Sequence, residues 1–79
     1  MINVDLKAGD FVKEFPKDAD LEAVIQFKLG SALLERISPL ESIEVVGEYL
    51  RVSNYLSEYR YKYRLKDLKK VVIIVRGMF

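Results

Sequence analysis

Residues 58–65 read EYRYKYRL, in which polar and apolar side chains alternate without a break. Alternation over a segment of this length is typical of a strand with one buried face, and tyrosine favours strands. In such a strand the three tyrosines share one face and the three basic residues share the other. We therefore predict a strand here, with its tyrosines facing the core and its cations facing solvent.

The residues that precede this strand fit two interpretations. Residues 38–41 read SPLE, which has the form of a helix capping box with proline at the first helical position. Apolar side chains then recur at spacings of four and three residues, at Val45, Tyr49, Val52, Leu56, Tyr59 and Tyr63. The β-branched residues between positions 43 and 52, with Asn54 as the site of a hairpin turn, favour strands instead. A second long helix over residues 39–66 is the alternative.

Further strands are predicted near both ends of the chain. Residues 2–6 and 11–15 are separated by the turn sequence AGD at 8–10, so we expect them to pair as a hairpin. Residues 71–75 read VVIIV and are apolar on both faces, which is typical of a strand that is covered on both sides. This last strand would follow residues 58–65 in a three-stranded antiparallel meander.

Residues 18–38 are predicted to form one long helix. Asp18, Asp20 and Glu22 would place negative charge at its N-terminal end, where the helix dipole is positive. Pro39 sets its C-terminal end, because the residue before a proline avoids helical geometry. The apolar side chains form two opposite stripes, with Leu21, Val24, Ile25, Ala32 and Leu33 on one and Ala23, Phe27, Gly30, Leu34 and Ile37 on the other. A helix with two apolar faces needs a covering surface on each.

These elements predict an α+β fold in a single domain of 79 residues. One long helix would pack across an antiparallel sheet of about five strands, in the order strand-strand-helix-strand-strand-strand. This plan resembles that of cystatin-like and dodecin-like folds, and the resemblance implies no function for this chain.

Two of the predicted elements lack a cover within one chain, which predicts a homo-oligomer. These are the second stripe of the helix and the strand over residues 71–75. A chain this short without cysteine has only a small core and no covalent help, so a partner subunit is a common solution. The interface candidates are Ala23, Phe27, Gly30, Leu34, Val72 and Ile74. The first functional hypothesis is therefore a small non-enzymatic interaction module that self-associates and binds a protein partner.

Composition argues against most catalytic chemistry. The chain has no cysteine and no histidine, which excludes disulfides, thiolate nucleophiles, Ser-His pairs and zinc sites built on those residues. Its four glycines are isolated, so it contains neither a phosphate loop nor a dinucleotide-binding fingerprint. The acidic residues between positions 18 and 22 lack the pattern of a calcium loop. We expect no catalytic residues, no metal and no cofactor.

Apolar runs in this chain are short. The longest purely aliphatic one covers residues 71–75, whereas a membrane-spanning helix needs about 20 such residues. The first residues also lack the basic start and apolar stretch of a signal peptide. We therefore expect an intracellular, cytoplasmic protein without a membrane partner.

Charge is divided unequally along the chain. Residues 1–49 carry five basic and ten acidic side chains, a net charge of −5, whereas residues 50–79 carry eight basic and two acidic ones, a net charge of +6. The candidates for contact with nucleic acid or another anion are Arg60, Lys62, Arg64 and Lys66. Because the tyrosines of this strand face the other way, we expect phosphate contacts without base stacking. Phosphate-directed nucleic-acid binding is the alternative function.

Overall fold

The computed structural model describes residues 2–6, 11–29 and 33–77 and shows a mostly β fold. The described strands are β1 (Ile2–Asn3), β2 (Phe11–Glu14), β3 (Leu21–Phe27), β4 (Leu34–Ile37), β5 (Leu40–Val46), β6 (Tyr49–Asn54), β7 (Arg60–Arg64) and β8 (Leu68–Val75). All their pairings are antiparallel. They form two four-stranded sheets, sheet A in the order β1-β8-β3-β4 and sheet B in the order β2-β5-β6-β7.

The predicted α+β fold is wrong, because the segment assigned to the long helix forms β3 and β4. These two strands pair with each other, with Ala23 opposite Ile37. In the parts of the chain that the structure describes, helical geometry is limited to two 3-10 turns of three residues, Lys17–Ala19 and Leu65–Asp67. The alternative helix over residues 39–66 is wrong as well, since that range holds β5, β6 and β7. The plan shared with cystatin-like and dodecin-like folds therefore does not apply.

Period-two order in β3 explains why this segment is extended. Ala23 and Ile25 are fully buried, while Val24 between them is only half-buried and lies on the other face. The strand also has hydrogen-bonded neighbours on both sides, β8 and β4. The segment has apolar side chains on both faces, and this composition suits a central strand of a sheet such as β3. Asp20, which was predicted to lie at the start of the helix, instead adopts the left-handed conformation just before β3, with φ 41°.

The strands of the C-terminal half lie close to where alternation predicts them. β7 falls within residues 58–65, and β8 contains the apolar residues 71–75. Asn54 is the last residue of β6, and its Oδ1 accepts a hydrogen bond from the backbone N–H of Ser57 at 2.9 Å, so the connection to β7 begins there as predicted.

Three pairings differ from the prediction. The segment before Asn54 contains two strands, because Gly47, at φ 57°, reverses the chain between β5 and β6. β8 does not continue a meander beside β7 but pairs with β3 and β1 in the other sheet. The expected N-terminal hairpin is also wrong, since β1 pairs with β8 while β2 pairs with β5.

The hydrophobic core draws on both sheets. Its buried side chains are Phe15, Ala23, Ile25, Ile37, Leu40, Ile43, Val45, Leu50, Val52, Leu68, Val71 and Ile73. In β6 the core residues Leu50 and Val52 alternate with half-buried ones, so every second side chain points away from the core. The outer face of sheet B is built from these remaining positions.

Candidate anion-binding face

Strands β6 and β7 carry a group of cations on the outer face of sheet B. The register sets three outward pairs side by side, namely Tyr49 with Arg64, Arg51 with Lys62 and Ser53 with Arg60. Directly opposed side chains in an antiparallel sheet lie about 5 Å apart at Cβ, and successive outward ones along a strand about 6.6 Å apart. The four basic residues are therefore neighbours. We call Tyr49, Arg51, Arg60, Lys62 and Arg64 the basic face.

These cations are not neutralised by ion pairs with described residues. Arg60, Lys62 and Arg64 are exposed and Arg51 is half-buried. Within the described chain, every ion pair closer than 4.0 Å is made by Arg36 or Arg76, which belong to the sheet A side of the molecule. The acidic residues of the same outer face lie towards β5 and β2, where Glu44 stands opposite Arg51 and Glu14 stands opposite Ser42. Positive charge is therefore highest in the middle of β7, since Glu48 lines a depression with Arg64 and Glu41 lines one with Arg60 at its two ends.

Tyr49 brings an aromatic ring to the same face as the cations. The Nζ of Lys62 lies 4.2 Å from the centroid of this ring, which is a cation–π contact. The prediction that aromatic rings and cations occupy opposite faces agrees with Tyr61 and Tyr63 of β7, which are half-buried between exposed cations. It does not extend to β6, because the neighbouring strand contributes its own outward ring. For that reason Tyr49 and Arg51 were not predicted as site residues, although their alternation with Leu50 indicates that they face away from the core.

The inward tyrosines attach β7 to the rest of the molecule. The ring of Tyr63 packs edge-to-face against Phe27, with centroids 5.8 Å apart, and its hydroxyl donates a hydrogen bond to Oε2 of Glu35 on β4. Burial raises the pKa of Tyr63 far above its ordinary value, and the hydrogen bond and negative charge of Glu35 raise it further. The hydroxyl therefore remains a proton donor, and the contact ties the cation-bearing strand to the other sheet.

Tyr59 differs from the two tyrosines that follow it. It lies one residue before β7, is 67% exposed, and contacts Tyr61 edge-to-face at 5.2 Å between centroids. The expectation that Tyr59 faces the core is therefore wrong, because the regular alternation of β7 begins only at Arg60. Tyr59 thus packs beside the inward-facing Tyr61 just before β7, whereas Tyr49 lies on the basic face at its Arg64 end.

Lys66, the fourth predicted anion contact, lies where the chain passes from sheet B to sheet A. It is exposed in the turn Leu65–Asp67. The backbone N–H of Leu65 donates to the carbonyl of Glu48 at 2.9 Å, which holds this turn against the β5–β6 hairpin. An open pocket of about 500 Å³ between them is lined by Gly47, Glu48, Tyr49, Arg64, Leu65 and Lys66. Lys66 therefore extends the basic face at its Arg64 end.

Two of the predicted oligomer-interface residues, Ala23 and Phe27, belong to β3 and not to a surface helix stripe. Ala23 is completely buried in the core, and Phe27 packs against that core as well as against Tyr63. Gly30 lies outside the described residues. β3 directs Ala23 and Phe27 towards the core, so these two residues form no surface stripe.

The other three interface candidates belong to sheet A. Leu34 is 46% exposed on the edge strand β4. Val72 and Ile74 lie on the face of β8 opposite to its core residues, where the register places Val72 beside Val24. Val72 is buried and Ile74 half-buried even there. The apolar surface on the outer face of sheet A is therefore small, and it is bordered by Glu22 opposite Ile74 and by Arg36 opposite Val24.

Two of the three acidic residues predicted to begin a helix, Asp20 and Glu22, form ion pairs instead. An oxygen of the nearly buried Glu22 lies 2.7 Å from Nη1 of Arg36, and Asp20 lies 3.5 Å from Nη1 of Arg76. Among the described residues no group of three or more side chains of the kinds that ligate metals comes together. The helices of the described chain are likewise too short and too polar to cross a membrane.

Comparisons with protein-family models, with curated proteins and with solved structures found no match to this chain.

Proposed function

We propose that the protein binds single-stranded nucleic acid through the basic face, mainly by contacts with phosphates. The observation that supports this proposal is the placement of Arg51, Arg60, Lys62 and Arg64 at neighbouring outward positions of two paired strands. None of the four has an ion-pair partner among the described residues. A cluster of this kind attracts a polyanion, and its binding free energy comes largely from released counterions. We also propose that the protein is intracellular, as its sequence predicts.

Tyr49 favours a single strand over a duplex. Proteins that bind single strands combine cations for the backbone with aromatic rings on which unpaired bases stack. Tyr49 lies on the basic face, opposite Arg64, and its ring could receive a base. A duplex keeps its bases stacked on one another, so it cannot use this ring without being opened.

The affinity for a labelled oligothymidylate is expected to fall steeply as salt is raised. Each phosphate contact contributes about −0.7 to the slope of log K against log salt for a single strand, so four contacts predict a slope of about −3. Fluorescence anisotropy titrations at several salt concentrations measure this slope, with a duplex of equal length as the competitor. Absence of binding at low salt, an affinity independent of salt, or a preference for the duplex would contradict the proposal.

Self-association is a second candidate function, and the outer face of sheet A supports it. Val24, Val72 and Ile74 lie together there, on the side of the sheet that does not contact the core. The partner proposed for this surface is a second copy of the chain, which would complete the covering of β8. The other basis for an oligomer, a second helix stripe, is removed by the fold.

Substitution of Ile74 by glutamate is expected to shift any dimer to monomer without unfolding the chain. A charge on this face would be buried in a dimer, whereas in the monomer it reaches solvent but stands opposite Glu22, so we expect a somewhat less stable monomer that circular dichroism shows to be folded. Sedimentation velocity at tens of micromolar checks the change, with Val75→Glu as the control because Val75 is already 59% exposed on the same strand. A wild-type chain that sediments as a monomer at every concentration would rule out this second candidate.

A further inference from the structure

A second group of cations lies around the corner from the basic face. An open pocket of about 500 Å³ lies between the N-terminal segment, the turn Leu65–Asp67 and the start of β8. The basic residues that line it are Lys28, Lys66, Lys69 and Lys70. It shares Leu65 and Lys66 with the pocket at the Arg64 end of the basic face. The two depressions therefore meet at Lys66.

Backbone hydrogen bonds fix the elements that carry these lysines. The N–H of Lys28 donates to the carbonyl of Asp67 at 3.0 Å, which attaches the end of β3 to the turn. The N–H of Val4 donates to the carbonyl of Val71 at 2.9 Å, which attaches the N-terminal segment to β8. The corner is therefore shaped before any ligand arrives, and a ligand need not order it.

The charge balance of this corner is positive. All four lysines are exposed, and none has an ion pair closer than 4.0 Å with a described residue. The acidic residues nearby are Asp5, which lines the pocket and has interactions of its own, and Asp67 in the turn. Apolar side chains such as Leu6 and Leu68 form part of the wall, so the lysine ammonium groups are its main polar contacts for an anion.

We propose that a nucleic-acid strand bound on the basic face continues past Lys66 into this second pocket, so that the complete site spans both sheets. This inference rests on the proposed function and adds to it the length and path of the ligand. A strand of about four nucleotides would occupy the basic face alone, whereas one of about ten would reach Lys69 and Lys70, within the usual range for small single-strand-binding domains. The path bends where the chain itself turns from β7 to β8.

The test compares two oligothymidylates, dT4 and dT10, on the wild-type chain and on the double variant Lys69→Gln with Lys70→Gln. We expect the variant to lose about 10-fold in affinity for dT10 at low salt and less than 2-fold for dT4, with a dT10 salt slope shallower by about 1.4 because two contacts are gone. Glutamine is chosen because it removes the positive charge without adding a negative charge that would repel a strand bound on the basic face. The matched control is Lys13→Gln with Lys17→Gln, which removes the same charge from exposed positions elsewhere and should leave both affinities within 2-fold.

Backbone amide shifts of the wild-type chain give a second measurement that needs no variant. We expect dT10 to shift the amide resonances of Lys66, Lys69 and Lys70, and dT4 to shift mainly those of β6 and β7. Equal losses for both oligonucleotides in the variant, or no loss for dT10 together with unshifted β8 amides, would overturn the extended path while leaving the basic face intact. Failure of the wild-type chain to bind either oligonucleotide would instead overturn the proposed function itself.

Discussion

Charge reversal of Arg51 and Lys62 to glutamate is expected to reduce the affinity for single-stranded DNA at least about 100-fold at about 0.1 M salt. The two residues are a directly opposed outward pair in the middle of the basic face. Their reversal removes two phosphate contacts, adds two repulsive charges and ends the contact of Lys62 with the ring of Tyr49. Anisotropy titration of labelled oligothymidylate measures the loss, and circular dichroism verifies that the variant is folded.

A matched control separates local contact from net charge. Lys13→Glu with Lys17→Glu changes the total charge by the same amount, but Lys13 lies on β2, at the other edge of sheet B, and Lys17 lies in the turn that follows it. At about 0.1 M salt the Debye length is about 10 Å, and β2 lies about 14 Å from β7, so we expect this control to lose less than about 5-fold. Comparable losses in the two double variants would show that binding depends on overall charge and not on the basic face.

Substitution of Ile25 by alanine is expected to lower the free energy of unfolding by about 2–5 kcal/mol. Ile25 is fully buried in the centre of β3, so the truncation removes apolar contacts and leaves a cavity. A folded chain of this length has a total stability of roughly 4–12 kcal/mol, so the loss is a large fraction of it. Urea denaturation followed by circular dichroism measures the change.

Val24→Ala is the informative comparison, because it distinguishes a strand from a helix. On a helix Val24 and Ile25 would belong to one buried stripe, and their truncations would cost similar amounts. On β3 they lie on opposite faces, and Val24 is only half-buried. We therefore expect Val24→Ala to cost no more than about 1 kcal/mol, in line with a partly exposed position. Equal losses for the two variants would contradict the strand assignment of residues 21–27.

The contrast between β7 and β3 shows how far local pattern could predict this fold. In β7 the two faces differ in polarity, so alternation is visible in the sequence and the strand is predicted correctly. In β3 the outward position 24 is a valine, which hides the alternation, and the neighbouring acidic residues imitate a helix N-terminus. What makes β3 extended is its pairing with β8 and β4, and β8 is more than forty residues away along the chain.

The candidate site was predictable to the extent that one strand determines it. Alternation alone places Arg60, Lys62 and Arg64 on a common exposed face, as the structure shows. Tyr49 and Arg51 join them only through the register of β6 against β7, which depends on where the connecting segment begins and ends. No pattern within residues 58–65 specifies which strand lies beside them.

Strict alternation in β6 divides its six residues between core packing and the outer face of sheet B. Leu50, Val52 and Asn54 are buried, whereas Tyr49, Arg51 and Ser53 are directed away from the core. The outward positions can therefore be rewritten with little effect on packing, since a polar or aromatic replacement there displaces no core atom. Sheet B can thus serve as a scaffold: its outward side chains can be replaced by acidic, aromatic or neutral ones to make new binding surfaces, while its inward side chains are kept.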